Sequence, residues 1–307
     1  MLVASLLTPY LWAVCTVIAA AAQTLRNALQ RGLTGALGTA GATQVRFLFG
    51  LPFGLAFLAL ALAATGQPPP PISAPALGWT AFGGVAQIAA TGLMLAAMRT
   101  RSFVVTTAYI KTEPVLVAIF GLVILGEQPS LVTVLAILVA TAGVLLVSWP
   151  KPGARDAAGA ARDWRPALLG VAAAACFALS AVGFRGGVRA LDTPSFVVAA
   201  STVLVLGLAI QTALLTPWLA LFDRAGLAAI FRAWRPSLAA GFLGAFASQF
   251  WFLGFALASV AQVRTLALVE VVFAQILSRN IFRQGATGRE YAGIGLIIAG
   301  VVLLLNG

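Results

Sequence analysis

Long apolar runs recur along this chain from end to end, each close to the length that crosses a lipid bilayer. Divided at proline, glycine and arginine breaks, they fall at roughly 8–30, 40–64, 75–98, 102–125, 130–149, 166–188, 194–216, 236–257, 260–282 and 288–306. A spanning helix needs about 20 predominantly apolar residues. Ten such runs in 307 residues leave no room for a sizeable water-soluble domain. Only 9% of the residues are charged, whereas a soluble domain carries about 25%. A chain this poor in charge cannot cover its surface with polar groups, and a bilayer removes the need. The expected fold is therefore an all-α integral membrane protein of ten transmembrane helices. The N-terminus lacks a basic segment before its first apolar run, so that run is expected to be a retained span and not a signal peptide.

The residues that are missing exclude several chemistries. Without histidine there is no His-based metal site and no Ser-His-Asp triad. Cys15 and Cys176 both lie in apolar runs, which excludes a disulfide framework. No G-x-x-x-x-G-K-[ST] phosphate loop occurs, and no soluble domain could hold ATP. The net charge of +11 comes from scattered arginines and not from a basic domain, so nucleic acid is not an expected partner. No enzymatic activity, metal or cofactor is expected. The expected partners are the bilayer and a small-molecule substrate, with the chain a monomer or a weak homo-oligomer.

Three connections stand out. Pro68-Pro69-Pro70-Pro71 make residues 65–74 a stiff, uncharged loop. Residues 150–165, with Lys151, Arg155, Asp156, Arg162, Asp163 and Arg165, read as a linker in mid-chain. Residues 217–235, with Trp218, Asp223, Arg224, Arg232 and Trp234, suit an interfacial segment. The linker separates residues 1–149 from 166–307, with five runs in each.

The two parts align without gaps at an offset of 157, the separation of Glu113 and Glu270. Ser102 then falls on Ser259, Gly84 on Gly241, Val115 on Val272 and Ile124 on Ile281. Ala142-Gly143-Val144-Leu145-Leu146 falls on Ala299-Gly300-Val301-Val302-Leu303. Apolar matches are weak evidence, but intramembrane carboxylates are rare, so the glutamate pair weighs more. An odd number of spans per repeat forces the two copies into opposite orientations. Inverted repeats of this kind are a recurrent transporter architecture, with the site near the bilayer midplane. The connections after the odd-numbered spans carry most of the basic residues, with Arg26, Arg46 and Arg279 near span ends on that side. The even connections carry few, among them Arg185, Arg189 and Arg264. The positive-inside rule then places both termini outside the cytoplasm.

Six of the eight acidic residues lie at loops or helix ends: Glu127, Asp156, Asp163, Asp192, Asp223 and Glu290. Glu113, Glu270 and Lys111 sit inside apolar runs. A charge at a helix centre costs about 2.5–3.5 kcal/mol on insertion scales, so these side chains should face protein or water. Glu113 is also a candidate for carrying a proton. Tyr109 and Glu113 share a helical face. Lys111 stands about 200° away from Glu113 on a continuous helix, so one should face a cavity while the other pairs with a neighbouring helix. Pro114 should kink span four by freeing the carbonyl of Ile110.

Span one carries a polar stripe of Trp12, Thr16, Gln23, Asn27 and Gln30, and span three offers Gln87, Thr91, Met94 and Met98. Span eight offers Phe246, Gln249, Phe250 and Trp251. Gly83, Gly84, Gly241 and Gly244 suit close helix crossings. The candidate substrate- or ion-binding residues are Glu113, Glu270, Lys111, Tyr109, Trp12, Gln23, Gln87, Gln249 and Trp251.

The chain resembles the drug/metabolite transporter superfamily in its ten-span EamA-type branch. The resemblance rests on the two five-span repeats, Leu11-Trp12-Ala13, Glu113-Pro114, Leu125-Gly126-Glu127 and the matched Ala-Gly-Val runs ending each repeat. The second repeat departs from it at Val271, where no proline follows Glu270, and at Arg283-Gln284. The resemblance implies a secondary transporter in the cell inner membrane, with a central cavity lined by spans one, three, four, six, eight and nine. It also implies an exporter, of amino acids (aromatic ones included), other metabolites or toxic compounds. Cytoplasmic termini are common in that superfamily, against the arginine distribution here. A non-transporting scaffold is the contrasting expectation, and a lack of any central cavity would favour it.

Overall fold

The computed structural model describes residues 8–100, 109–148, 165–273 and 288–306. Among them every regular element is helical. In chain order these are α1 (Leu11–Leu48), α2 (Leu51–Thr65), α3 (Ala74–Thr100), α4 (Glu113–Leu125), α5 (Leu131–Ser148), α6 (Arg165–Arg189), α7 (Phe196–Phe222), α8 (Arg224–Arg232), α9 (Trp234–Leu257), α10 (Val260–Leu266) and α11 (Gly288–Asn306). Six stretches are long and apolar enough to cross a bilayer: Gly32–Thr65, Leu131–Ser148, Leu168–Arg189, Phe196–Phe222, Trp234–Leu257 and Gly288–Asn306. The remaining expected spans fall on the first part of α1, on α3, and on 102–125 and 260–282, parts of which lie outside the described residues. So does the linker, apart from Arg165, which opens α6.

The break expected between spans one and two shrinks to a single residue. Residues 31–37 continue the first helix, and only Gly38 leaves it, at φ 66° and ψ −179°. That φ is one glycine adopts without steric cost. The chain folds back there, and Gln30 Nε2 donates to the Ala42 carbonyl across the bend at 2.7 Å. Glycines at 32 and 35 are poor helix formers. Their neighbours override this, because Leu33 and Leu37 bury their side chains with Val45, Leu219, Ile230 and Ala240. The same core explains residues 217–235. α7 runs on to Phe222, Asp223 accepts from Gly226 N at 2.9 Å, and α8 buries Ile230 while Trp218 and Trp234 remain exposed.

The described helices divide into two compact units, each drawing on both repeats. Unit 1 is Met1–Ile88 with Ser180–Ser259, and unit 2 is Ala89–Leu179 with Val260–Gly307. In unit 1, α9 packs along α1 and α2 packs on α7. The crossings are made by glycine. A Cβ on Gly241 would lie 2.5 Å from Phe49 Cβ, and one on Gly183 would lie 2.6 Å from Gly83 Cα. Of the four glycines expected at crossings, Gly83, Gly241 and Gly244 leave no room for a methyl group, whereas Gly84 sits at ordinary contact with Gln211.

In unit 2 the main contact is α5 against α11. A Cβ on Gly143 would lie 2.6 Å from the Gly293 carbonyl oxygen and 2.8 Å from Ile297 N. One on Gly300 would lie 2.9 Å from the Ala136 carbonyl oxygen and 2.8 Å from Ala140 N. Moving every residue by the offset of 157 turns the first set of contacts into the second, so the internal repeat is written into the packing. Gly143→Ala is expected to destabilise the protein by about 1–3 kcal/mol through overpacking. Gly295→Ala, where nothing lies within 4 Å, should leave stability unchanged or slightly raised. Thermal unfolding in detergent measures both.

Candidate functional site

Both intramembrane glutamates follow an interruption of helix. In the first repeat, Lys111 and Thr112 form a turn and α4 begins at Glu113. The Tyr109 carbonyl accepts from Thr112 Oγ1 at 2.7 Å and from Thr112 N at 3.3 Å. Pro114 sits in the first turn of α4, where a missing N–H costs nothing. The kink expected there is thus a true break, and Pro114 starts a helix instead of bending one. In the second repeat, α10 ends at Leu266 and a 3-10 turn over Ala267–Val269 leads into Glu270. The interruption recurs without a proline.

The charges meet across these breaks, within unit 2. Arg264 of α10 donates from Nε and Nη2 to the two carboxylate oxygens of Glu113, each at 2.7 Å. Lys111 Nζ is ion-paired with Glu270 Oε1. Each repeat's acid is therefore held by the other repeat's base, and all four side chains are largely buried. Paired in this way, they avoid the cost of isolated charge in an apolar interior.

Three expectations change. Lys111 and Glu113 do not divide between cavity and neighbour, because the turn between them breaks the helical period and both pair. Glu113 does not stand alone in its apolar run: both of its oxygens accept from the guanidinium fork of Arg264. Arg264, counted among the charges of a connection, is a central residue of the cluster. The signal available in the sequence was its place in the apolar run six residues before Glu270.

Glu127, expected at a helix end, has a defined task there. Gly126 adopts φ 67° and closes α4, and Glu127 Oε2 then accepts from Val260 N at 3.0 Å at the start of α10. Tyr109 packs its side chain against Gly170 of α6.

The other candidate residues belong to unit 1. Trp251 Nε1 donates to Gln23 Oε1 at 3.1 Å, and Gln249 Nε2 donates to Ser201 Oγ at 3.0 Å. Gln211 Nε2 donates to Gln87 Oε1 at 2.9 Å and to the Gly84 carbonyl at 3.2 Å. Trp12 is half-buried in the first turn of α1. Ser201 and Gln211 were not singled out by sequence because a lone polar residue in an apolar run carries no direction. Cys15 and Cys176 are free thiols.

An all-helical chain with several bilayer-length helices, two of its apolar segments broken beside paired acids and bases, has the build of a multi-pass membrane transporter. The sequence profile of the EamA-like transporter family matches residues 7–149 and again 164–306, and the chain belongs to that family. It is a membrane transporter of the drug/metabolite kind. No curated protein matches it by sequence. Among 29 chains of solved structures that match, one titled only "Crystal structure of protein" aligns at a TM-score of 0.70. It is 18% identical over 96% of this chain and 94% of its own, a likeness that shows the fold alone.

Proposed function

We propose that this protein is a secondary transporter that exports amino acids, or similar small zwitterions, by alternating access. The observation that carries this is the cluster of Lys111, Glu113, Arg264 and Glu270, with two acids and two bases beside broken helices. A zwitterion presents one ammonium and one carboxylate. It can exchange with an internal ion pair without leaving a net charge in the apolar interior, which a singly charged substrate cannot do. The helix breaks supply the local backbone freedom such an exchange needs. Tyr109, three residues before Thr112 in the same unit, offers an aromatic face to substrates with an aromatic side chain. In this reading, residues 1–149 and 166–307 form two inverted sets of five spans joined by 150–165, in the inner membrane, and the chain works as a monomer or a weak homo-oligomer.

The test is uptake of a panel of labelled amino acids into liposomes containing purified protein, with Glu113→Gln and Glu270→Gln alongside and internal pH varied. At least one amino acid should move faster than into empty liposomes, and both variants should lose that flux. No flux of any amino acid, or flux through both variants equal to that of the unaltered protein at every pH, would refute the proposal.

A further inference from the structure

The arginines expected near span ends, as charges that set topology, divide within unit 1. Arg26 and Arg46 are buried inside it, at 6% and 7% exposure. Arg224, Arg232 and Arg235 are exposed, and they frame α8. This helix joins α7 to α9, both long and apolar enough to cross a bilayer, so it lies at one surface of the membrane. One side of α8 is fixed to the protein. Ile230 is buried among Leu33, Leu37, Leu219 and Ala240, with Leu227 and Ala229 packed on that core. The other side is exposed, and Arg224, Ala228 and Arg232 follow one another along it at intervals of four. On a regular helix they make a stripe about 80° wide and about 12 Å long, facing away from Ile230. Large apolar side chains flank the stripe: Phe231 and Trp234 are more than half exposed, and Trp218 and Phe222 are exposed at the end of α7. Arg224 Nε donates to the Ala220 carbonyl at 2.8 Å, and the Arg235 guanidinium lies 5.4 Å from the centre of the Trp234 ring.

We propose that α8 is a docking surface for anionic phospholipid headgroups. Exposed phenylalanine and tryptophan beside exposed arginine suit neither water nor the hydrocarbon core, and the membrane interface accommodates both. The sign of the headgroup follows from charge. Between residues 193 and 269 the only acid is Asp223, and its Oδ1 caps α8 by accepting from Gly226 N at 2.9 Å. A guanidinium grips a phosphate through its planar fork. A zwitterionic lipid brings an ammonium group that the same arginines repel, so the surface discriminates between the two lipid classes. The first repeat has no counterpart. At the offset of 157, Arg224, Arg232 and Arg235 correspond to Gln67, Pro75 and Gly78, in and after the uncharged proline loop. In the inverted arrangement proposed above, these equivalent connections face opposite sides of the membrane. A basic helix on one side and a neutral loop on the other then match a bilayer whose leaflets differ in charge. The surface does not involve the ion pairs of unit 2, so its failure would leave the transport proposal standing.

Native mass spectrometry of the full-length protein, released from nanodiscs of equal phosphatidylglycerol and phosphatidylcholine, tests this. Phosphatidylglycerol should be retained in preference. Arg224→Gln and Arg232→Gln should each cut that preference about fivefold, the effect of one arginine near an anionic surface. Exposed substitutions of this kind leave folding intact. Arg224→Lys and Arg232→Lys should keep most of the preference. Arg189→Gln, exposed at the end of α6, should leave it unchanged. Glycerol phosphate in solution should not displace the lipid, because it lacks the chains that meet the aromatic side chains. Equal retention of the two lipids, a preference indifferent to Arg224 and Arg232, an equal loss in Arg189→Gln, or displacement by glycerol phosphate would overturn the proposal.

Discussion

Glu113→Gln is expected to abolish transport and to destabilise the protein by about 3–5 kcal/mol, because it strands a buried guanidinium without its carboxylate. Arg264 makes two short bonds to Glu113, and a neutral amide offers one acceptor and one donor in place of two charged acceptors. The informative variant is the double one. Glu113→Gln with Arg264→Met removes both charges together and should recover most of the lost stability, since a buried pair replaced by neutral groups is often tolerated. Transport should stay absent. Melting temperature in detergent and flux in liposomes, measured on the same preparations, separate the two effects. Recovery of both stability and flux in the double variant would mean that the pair only holds helices together.

The second large effect concerns Lys111 and Glu270. Lys111→Glu sets two carboxylates against each other, and Glu270→Lys sets two ammonium groups against each other, in a site too buried for water to screen them. Each single variant is expected to lose most of its folded yield. The exchange Lys111→Glu/Glu270→Lys restores an opposite pair across the same helix break. Its stability should return to within about 1 kcal/mol of the starting protein, giving a coupling energy near the upper end of the usual range, about 3 kcal/mol. Fluorescence-detected size exclusion of the four proteins reads the outcome. Additive losses in the double variant would show that the two side chains do not act on one another.

The membrane class, the repeat offset and the inward placement of Lys111, Glu113 and Glu270 are legible in the sequence because each rests on rarity: charge is scarce in an apolar chain, so every exception is conspicuous. What the pattern could not show is direction. Helical periodicity separates Lys111 from Glu113 by about 200°, a separation that exists only on a continuous helix. The turn at Lys111-Thr112 removed that premise. Arg26, Arg46 and Arg264 were misread for a related reason. An arginine close to the end of an apolar run looks the same whether it snorkels to the headgroups or turns inward, and only the partner across the helix decides. For Arg264 the partner is Glu113, 151 positions away in sequence. Gly38 likewise gave no hint that it alone would carry the bend, since Gly32, Gly35 and Gly41 surround it.

The reciprocal pairing in unit 2 bears on how such a chain can be assembled. Each repeat brings one acid and one base to the cluster, so each is electrically neutral there by itself. Two identical copies of either half could therefore meet in antiparallel fashion and satisfy one another, with no foreign charge required. In the present chain the two bases are no longer equivalent: at the offset of 157, Arg264 matches Thr107, four residues before Lys111 in the sequence. Neutrality fixes how many charges each half must carry but leaves their positions free, and that freedom lets duplicated halves diverge into unlike partners without passing through an unbalanced intermediate.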